Sequence, residues 1–293
     1  MYILLAQKTM CSKKQGKIMD VNSKIYVVTH KPFILSKDLK QKGYELITVG
    51  NNNRALQMNT GVTDRTRNSI FEKNANYCEL TAAYWIWKNI NSDIKGFCHY
   101  RRYFSKPTFR YDVSKIISLP EVRKVLNNQK RKTIILPKRR YYDKSSKDLY
   151  LECGYEKDLL ITRDVISEKY PEYLNEFNNM LEKNTGYLTN MMIAKADIYN
   201  AYCSWLFDIL FEVEKRSDLT SYSIQEARIF GYLSERLVDV WVTHNDIDCI
   251  EYQNINTEQN INIKYRIGII SERLGLYKNI KDILFHWRKI RNN

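Results

Sequence analysis

Apolar residues recur along this chain in two rhythms. Short apolar runs stand at 24–30 (KIYVVTH), 44–50 (YELITVG), 94–100 (IKGFCHY), 132–137 (KTIILP), 187–194 (YLTNMMIA) and 248–252 (DCIEY). Their length and their β-branched and aromatic content predict strands. Between them, apolar positions recur every three or four residues, the period of a helix with one buried face. The clearest such stretch begins at Asn76, a good N-cap residue, with Glu79 three positions later completing a capping-box pattern. Leu80, Ala83, Tyr84 and Trp87 then fall on one face. Two more helices are expected over about 197–216 and 222–243, with Trp205, Leu206, Leu233 and Trp241 among their inward positions. Strand and helix alternation predicts an α/β layered domain with a mostly parallel sheet.

The ends of the chain break this pattern. Residues 1–22 read as a flexible N-terminal tail, with Met19 as an alternative start, because a short apolar patch precedes the lysines, the reverse of a secretory signal. Residues 23–253 form the expected domain. Residues 254–293 read as a basic amphipathic extension: from Lys264 onward eight Lys and Arg face only Glu272 and Asp282, with Phe285 and Trp287 interspersed. Such a segment suits either an anionic membrane surface or a helix packed on the domain with a solvated basic face.

Charge changes the picture next. The 47 basic residues exceed the 33 acidic ones, a formal net charge of +14, which calls for an anionic partner, a membrane surface, or compositional drift in a chain also rich in Asn, Ile and Tyr. No run approaches the length of a membrane span. The six cysteines include no C-x-x-C pair, and several lie in apolar stretches, which favours buried reduced thiols in a cytoplasmic protein over disulfides or a zinc ribbon. P-loop, G-x-G-x-x-G, G-x-S-x-G and H-E-x-x-H patterns are all absent, which removes support for the usual nucleotide hydrolases, Rossmann oxidoreductases, esterases and zincins.

Two of the four histidines sit where chemistry is expected. His30 ends the first strand run and His99 the third, and in open α/β sheets ligands bind at the carboxyl ends of strands. His99 is followed by Tyr100, Arg101, Arg102, Tyr103 and Phe104. Paired guanidinium forks flanked by aromatic rings suit a diphosphate and the base or sugar beside it. The second basic cluster, Lys130 to Lys132 and Lys138 to Arg140, is less specific and reads as solvated or facing a polyanion.

The segments KIYVVTHKPF, TGVTDRTRNSIFEKNANYCELTAAYWIWKN, IKGFCHYRRYF and ILPKRRYY, followed by the two long helical stretches, resemble in order and content the bacterial domain-of-unknown-function family 4422. The resemblance covers about residues 24–252. It implies a GT-A-like glycosyltransferase fold, α/β and Rossmann-like, with a mixed, mostly parallel sheet flanked by helices; the basic helical C-terminal extension lies beyond it and is read from its own residues. It further implies hexosyl transfer from a nucleotide-sugar donor to a lipid-linked or growing glycan acceptor, in capsule, exopolysaccharide or O-antigen synthesis. The enzyme would then be cytoplasmic and peripheral at the inner face of the membrane. Where the family commonly reads T-D-x-T-G-D-N-I-S, this chain has Thr63-Asp64-Arg65-Thr66-Arg67-Asn68-Ser69-Ile70-Phe71, so a glycine and an acidic residue are replaced.

The donor site expected on these grounds comprises His30, Lys31, Asn76, Tyr77, His99, Arg101 and Arg102. Many enzymes of the GT-A class hold a divalent ion with D-x-D. The one literal match, Asp246-Ile247-Asp248, lies late in the chain before a strand and is read as chance. Two routes stay open: cationic side chains replace the metal, or Mn2+ or Mg2+ binds through Asp64 or Asp93. An inverting transfer needs a carboxylate near the acceptor. Glu235 is the candidate base, seven residues after Arg228 on the same helix stripe, the competing role being a structural ion pair with Arg228 or Arg236. Asn190 and Arg228 are the acceptor-side candidates. The rival class is a non-catalytic polyanion-binding protein, or a degenerate glycosyltransferase acting as a scaffold. No nucleic acid is expected as partner, because no helix-turn-helix, zinc finger or RRM pattern is present.

Overall fold

A computed structural model describes residues 23–108 and 111–258 of the chain. The expected tail at 1–22 and nearly all of the expected extension at 254–293 lie outside the described residues. Ten strands occur among them: β1 (Ile25–Thr29), β2 (Tyr44–Thr48), β3 (Val62–Thr63), β4 (Ile94–His99), β5 (Arg102–Ser105), β6 (Thr133–Pro137), β7 (Arg140–Tyr141), β8 (Thr185–Gly186), β9 (Met192–Lys195) and β10 (Asp248–Asn256). Eight of them form one sheet in the order β3-β2-β1-β4-β5-β10-β6-β9, and β9 also pairs with β4. That last pairing closes β4, β5, β10, β6 and β9 into a five-stranded, barrel-like ring. β7 and β8 form a separate two-stranded ribbon.

The expectation of a mostly parallel sheet is corrected. Of the eight pairings in the main sheet, β1–β2, β1–β4, β2–β3 and β6–β10 are parallel. The other four, β5–β10, β4–β5, β4–β9 and β6–β9, are antiparallel. The fold is mixed α/β. Since β9 runs against both β4 and β6, those two point the same way, as do β1 and β10. The carboxyl ends of β1, β4 and β6 therefore share one edge of the sheet.

Side chains alternate between two faces of the strands. Tyr26, Val28, Phe97, Ile134 and Leu136 point into the larger core, with the helices at Leu80–Asn89, Glu156–Lys169, Ala196–Arg216 and Ile229–His244. Ile25, Val27, Cys98 and Ile135 point into a smaller core with the helices at Lys37–Gln41 and Leu119–Asn127. Five cysteines, Cys78, Cys98, Cys153, Cys203 and Cys249, are free thiols. Among the described residues no helix is long and apolar enough to cross a membrane.

Two local expectations fail in informative ways. The helix expected to start at Asn76 is broken: Asn74–Tyr77 makes one turn, Cys78 adopts φ 53° and ψ −129°, and a new helix runs over Leu80–Asn89. Asn74 holds the break by donating its Nδ2 to the Cys78 carbonyl at 2.7 Å and to Thr81 Oγ1 at 3.1 Å. No capping box forms there, so the Glu79 side chain is free to point elsewhere. In addition β10 runs past the strand expected at 248–252, to Asn256, because residues 253–256 pair with β5.

Candidate active site

The stretch His99-Tyr100-Arg101-Arg102 folds as a tight hairpin. β4 ends at His99, β5 begins at Arg102, and the two residues are direct cross-strand partners. Tyr100 and Arg101 make the turn, so both arginines stand at the carboxyl edge beside β1. His30, one residue beyond β1, meets the Tyr100 ring edge-on with centroids 5.9 Å apart, and Phe33 does the same at 5.6 Å. Arg101 lies over the Tyr100 ring at 5.1 Å and donates from Nη1 to Glu258 Oε2 at 2.9 Å. Lys31 follows His30, its amide donating to Thr29 Oγ1 at 3.1 Å.

Behind this rim lies a connected polar network. Asn190 donates its Nδ2 to Glu79 Oε1 at 2.8 Å and to the Gly231 carbonyl at 3.0 Å, while Ser234 Oγ donates to Asn190 Oδ1 at 2.7 Å. The Asn190 carbonyl sits 3.1 Å from His99 Nε2, and Glu79 Oε1 is 3.8 Å from the same nitrogen. Burial first, then Arg102, lowers the pKa of His99 against the opposing pull of Glu79. His30 is also held below its usual value, by desolvation and then by Lys31, Arg101 and Arg228. Both shifts favour the neutral ring, and of the two it is His99 that hydrogen-bonds, to the Asn190 carbonyl.

Arg102 and Glu235 lie within electrostatic reach of each other without pairing. Neither side chain makes a hydrogen bond or a close ion pair among the described residues. Desolvation, and then Arg140 and Arg101, lowers the proton affinity of Arg102, which stays charged at any working pH. Glu235 lies on the helix Ile229–His244. Burial, and next the charge of Glu79, pushes its carboxyl up to about 7, against the pull of Arg236, Arg102 and Arg228. A carboxylate poised near neutrality fits a general base. The rival role for Glu235, a structural ion pair, is not formed: Arg236 donates instead to the Ser146 and Tyr232 carbonyls, and Arg228 donates to Cys78 Sγ at 3.0 Å.

Three sequence-based assignments change. Tyr77 is fully buried, stacked on Phe230 with centroids 4.4 Å apart and bonded to Glu214 Oε2 at 3.1 Å, so it lies in the core. Asn76 donates its Nδ2 to the Ala227 carbonyl at 2.7 Å and locks the short turn to the segment before Glu235's helix. Asn190 lies in the loop before β9, not in a strand, and its side chain is spent on Glu79, Gly231 and Ser234. Its amide thus ties Glu79 to the helix Ile229–His244. The residue that sequence reasoning undervalued is Glu79, whose expected capping role would have hidden it.

The acidic residues that could ligate a metal stand at separate places in the fold. Asp93 sits at the amino end of β4, bound to Ser23 and Arg123. Asp64 is fully buried, with neither oxygen hydrogen-bonded in good geometry, although Thr81 and the Gly50 backbone lie close enough to favour its charged form. Asp246 and Asp248 both pair with Arg131 at the amino end of β10. Among the described residues no three His, Cys, Asp or Glu side chains converge to hold an ion. Asp64 and Asp93 therefore do not converge on one Mn2+ or Mg2+ site among the described residues.

With that geometry in view, a family model described as "Domain of unknown function (DUF4422)" matches residues 24–246. The chain belongs to the DUF4422 family. No curated protein matches it. Among solved structures, the apo structure of the WbbM bifunctional glycosyltransferase is 28% identical and superposes with a TM-score of 0.66, over 80% of this chain and 45% of that one. This DUF4422 chain therefore spans less than half the length of that protein. β10 and Glu258, the partner of Arg101, lie beyond the segment matched by the DUF4422 model.

Proposed function

We propose that this DUF4422 protein is a GT-A-like, inverting glycosyltransferase that moves a hexosyl group from a nucleotide-sugar donor to a glycan acceptor. The likeness to a glycosyltransferase structure supports the reaction class. The observation that carries the site is the unpaired, half-buried Arg102 within electrostatic reach of the unpaired Glu235 at the carboxyl edge of the sheet. A guanidinium held without a counterion in low dielectric stores attraction for an incoming anion.

In this reading His30, Phe33 and Tyr100 form an aromatic rim for the nucleoside, and Lys31, Arg101 and Arg102 hold the diphosphate. Glu235 takes the proton from the acceptor hydroxyl as its oxygen attacks the anomeric carbon. The bond from that carbon to the diphosphate oxygen breaks, and its electron pair leaves on the nucleoside diphosphate. Arg101 and Arg102 face that developing charge, the role that preorganised donors play in other group transfers. Asn190 and His99 fix Glu79 beside the base, and the Glu79 charge keeps the Glu235 pKa high. The acceptor we assign is lipid-linked, in bacterial surface-polysaccharide assembly, which the family resemblance supports.

A thermal-shift panel of nucleoside diphosphates and nucleotide sugars, with and without Mn2+, tests this reading. At least one nucleoside diphosphate should raise the melting temperature several degrees in native protein and leave Arg102→Ala unmoved. If no nucleotide shifts the native protein while nucleic acid binds it with steep salt dependence, the polyanion-binding alternative takes its place.

A further inference from the structure

One cation at the carboxyl edge has no part in the donor clamp. Arg140 begins β7, three residues after β6 ends, and so emerges on the same edge as His30 and His99. It is exposed, and its side chain has no hydrogen-bond or ion-pair partner among the described residues. The charge of Arg140 is felt by Arg102 more strongly than that of Arg101, the residue next to it in the chain.

The placement of Arg140 is fixed from behind. Its neighbour Arg139 makes a bidentate pair with Asp239, Nη1 to Oδ2 at 2.9 Å and Nη2 to Oδ1 at 2.6 Å. Asp239 is buried and lies one helical turn after Glu235. The Arg139 guanidinium also covers the Tyr187 ring at 4.1 Å, and Tyr187 Oη donates to Glu251 Oε1 at 2.8 Å. Arg140 itself pairs with Gly186 in the ribbon. The β7–β8 ribbon is thus bolted to the helix that carries the candidate base. Two guanidiniums on one edge of the sheet, within electrostatic reach and without counterions, repel each other, and a shared anion relieves that repulsion.

We propose that Arg140 and Arg102 form a phosphate-binding subsite on the Glu235 side of the cleft, with the Arg139–Asp239 pair as its positioning brace. This rests on the reading of the carboxyl edge as a nucleotide-sugar cleft. The phosphate comes either from the donor or from a phosphate-linked acceptor, and the two sources are separable. Pyrophosphate is titrated calorimetrically into the full chain, alone and with a saturating nucleoside diphosphate that the thermal-shift panel identifies. Binding that persists beside the nucleotide assigns the subsite to the acceptor, and mutually exclusive binding assigns it to the donor.

In the nucleotide-free titration, Arg140→Gln should weaken pyrophosphate about tenfold, and Arg140→Lys should restore part of the loss. Asp239→Asn should weaken it similarly, and the Arg140→Gln/Asp239→Asn double variant should bind no worse than Arg140→Gln alone, because the brace acts through Arg140. No saturable binding by native protein, or Arg140→Gln within twofold of it, would overturn the subsite. Additive losses in the double variant would overturn the brace. The readout is binding alone, so a protein that binds pyrophosphate through Arg140 yet transfers no sugar would defeat the proposed function and leave the subsite standing.

Discussion

The two edges of the sheet treat charge in opposite ways. At the amino edge Asp93 is held by Ser23 and Arg123, and Arg131 binds both Asp246 and Asp248. At the carboxyl edge Arg102, Arg140 and Glu235 lie within electrostatic reach of one another or of Glu79, with no direct partner among the described residues. Paired surface charges cost little and contribute little. Charges brought together and left unpaired cost stability, which a folded protein tolerates where a ligand completes them. The contrast also disposes of the late D-x-D, whose acids are occupied by Arg131 far from the histidine-bearing strand ends.

The largest effect that would break this comparison is at the arginines. Arg101→Ala/Arg102→Ala should abolish donor turnover while circular dichroism and melting temperature stay near native. Next is Glu235→Gln, expected to lower the transfer rate roughly 10²–10⁴-fold. In native protein kcat/KM should rise with pH through about 7, as the base form of Glu235 is populated. The sign on stability is opposite. A carboxyl raised from 4.5 to about 7 stabilises the fold below pH 4 or so and loses that contribution as pH climbs through 7. Glu235→Gln should therefore melt higher than native protein at pH 8.5, with the gap closing by pH 5.

Asn190→Ala sharpens the contrast from inside the network. It removes the hydrogen-bond donor to Glu79, while Ser234 and the Gly231 carbonyl keep their bond to each other, and should cost about 1–3 kcal/mol in denaturant unfolding together with roughly tenfold in transfer. Asp64→Asn should act on stability alone. Burial pushes the Asp64 carboxyl from 3.8 to about 6, so its charge at pH 8 burdens the fold and at pH 4 does not exist. The variant should gain at most about 3 kcal/mol at pH 8 and little at pH 4. Arg131→Ala, at the amino edge, should shift stability by under about 1 kcal/mol and leave transfer unchanged.

Much of this fold is legible along the chain. β1, β2, β4 and β6 sit inside continuous apolar runs, and the helices at Ala196–Arg216 and Ile229–His244 carry full apolar stripes. What escaped is non-local. β5 hides in Arg102-Tyr103-Phe104-Ser105, whose first residue reads as a basic turn and becomes a strand only by pairing with β4 and β10. Ring closure depends on β9 meeting both β4 and β6, and no local signal marks an antiparallel insertion between parallel strands. At the site, the strand-end histidines and arginines were visible because position alone marks them. Glu79 was masked by a capping pattern that the positive φ at Cys78 cancels. Arg140 was masked by its neighbours, since a KRR run looks alike whether one member is braced by Asp239 or all are solvated.

The most direct test of the central claim is the release of nucleoside diphosphate from the donor sugar nucleotide, measured side by side for native protein and Arg102→Ala at equal folded concentration. The account predicts steady release by the native protein and background release by the variant. Release by Arg102→Ala at the native rate would contradict it.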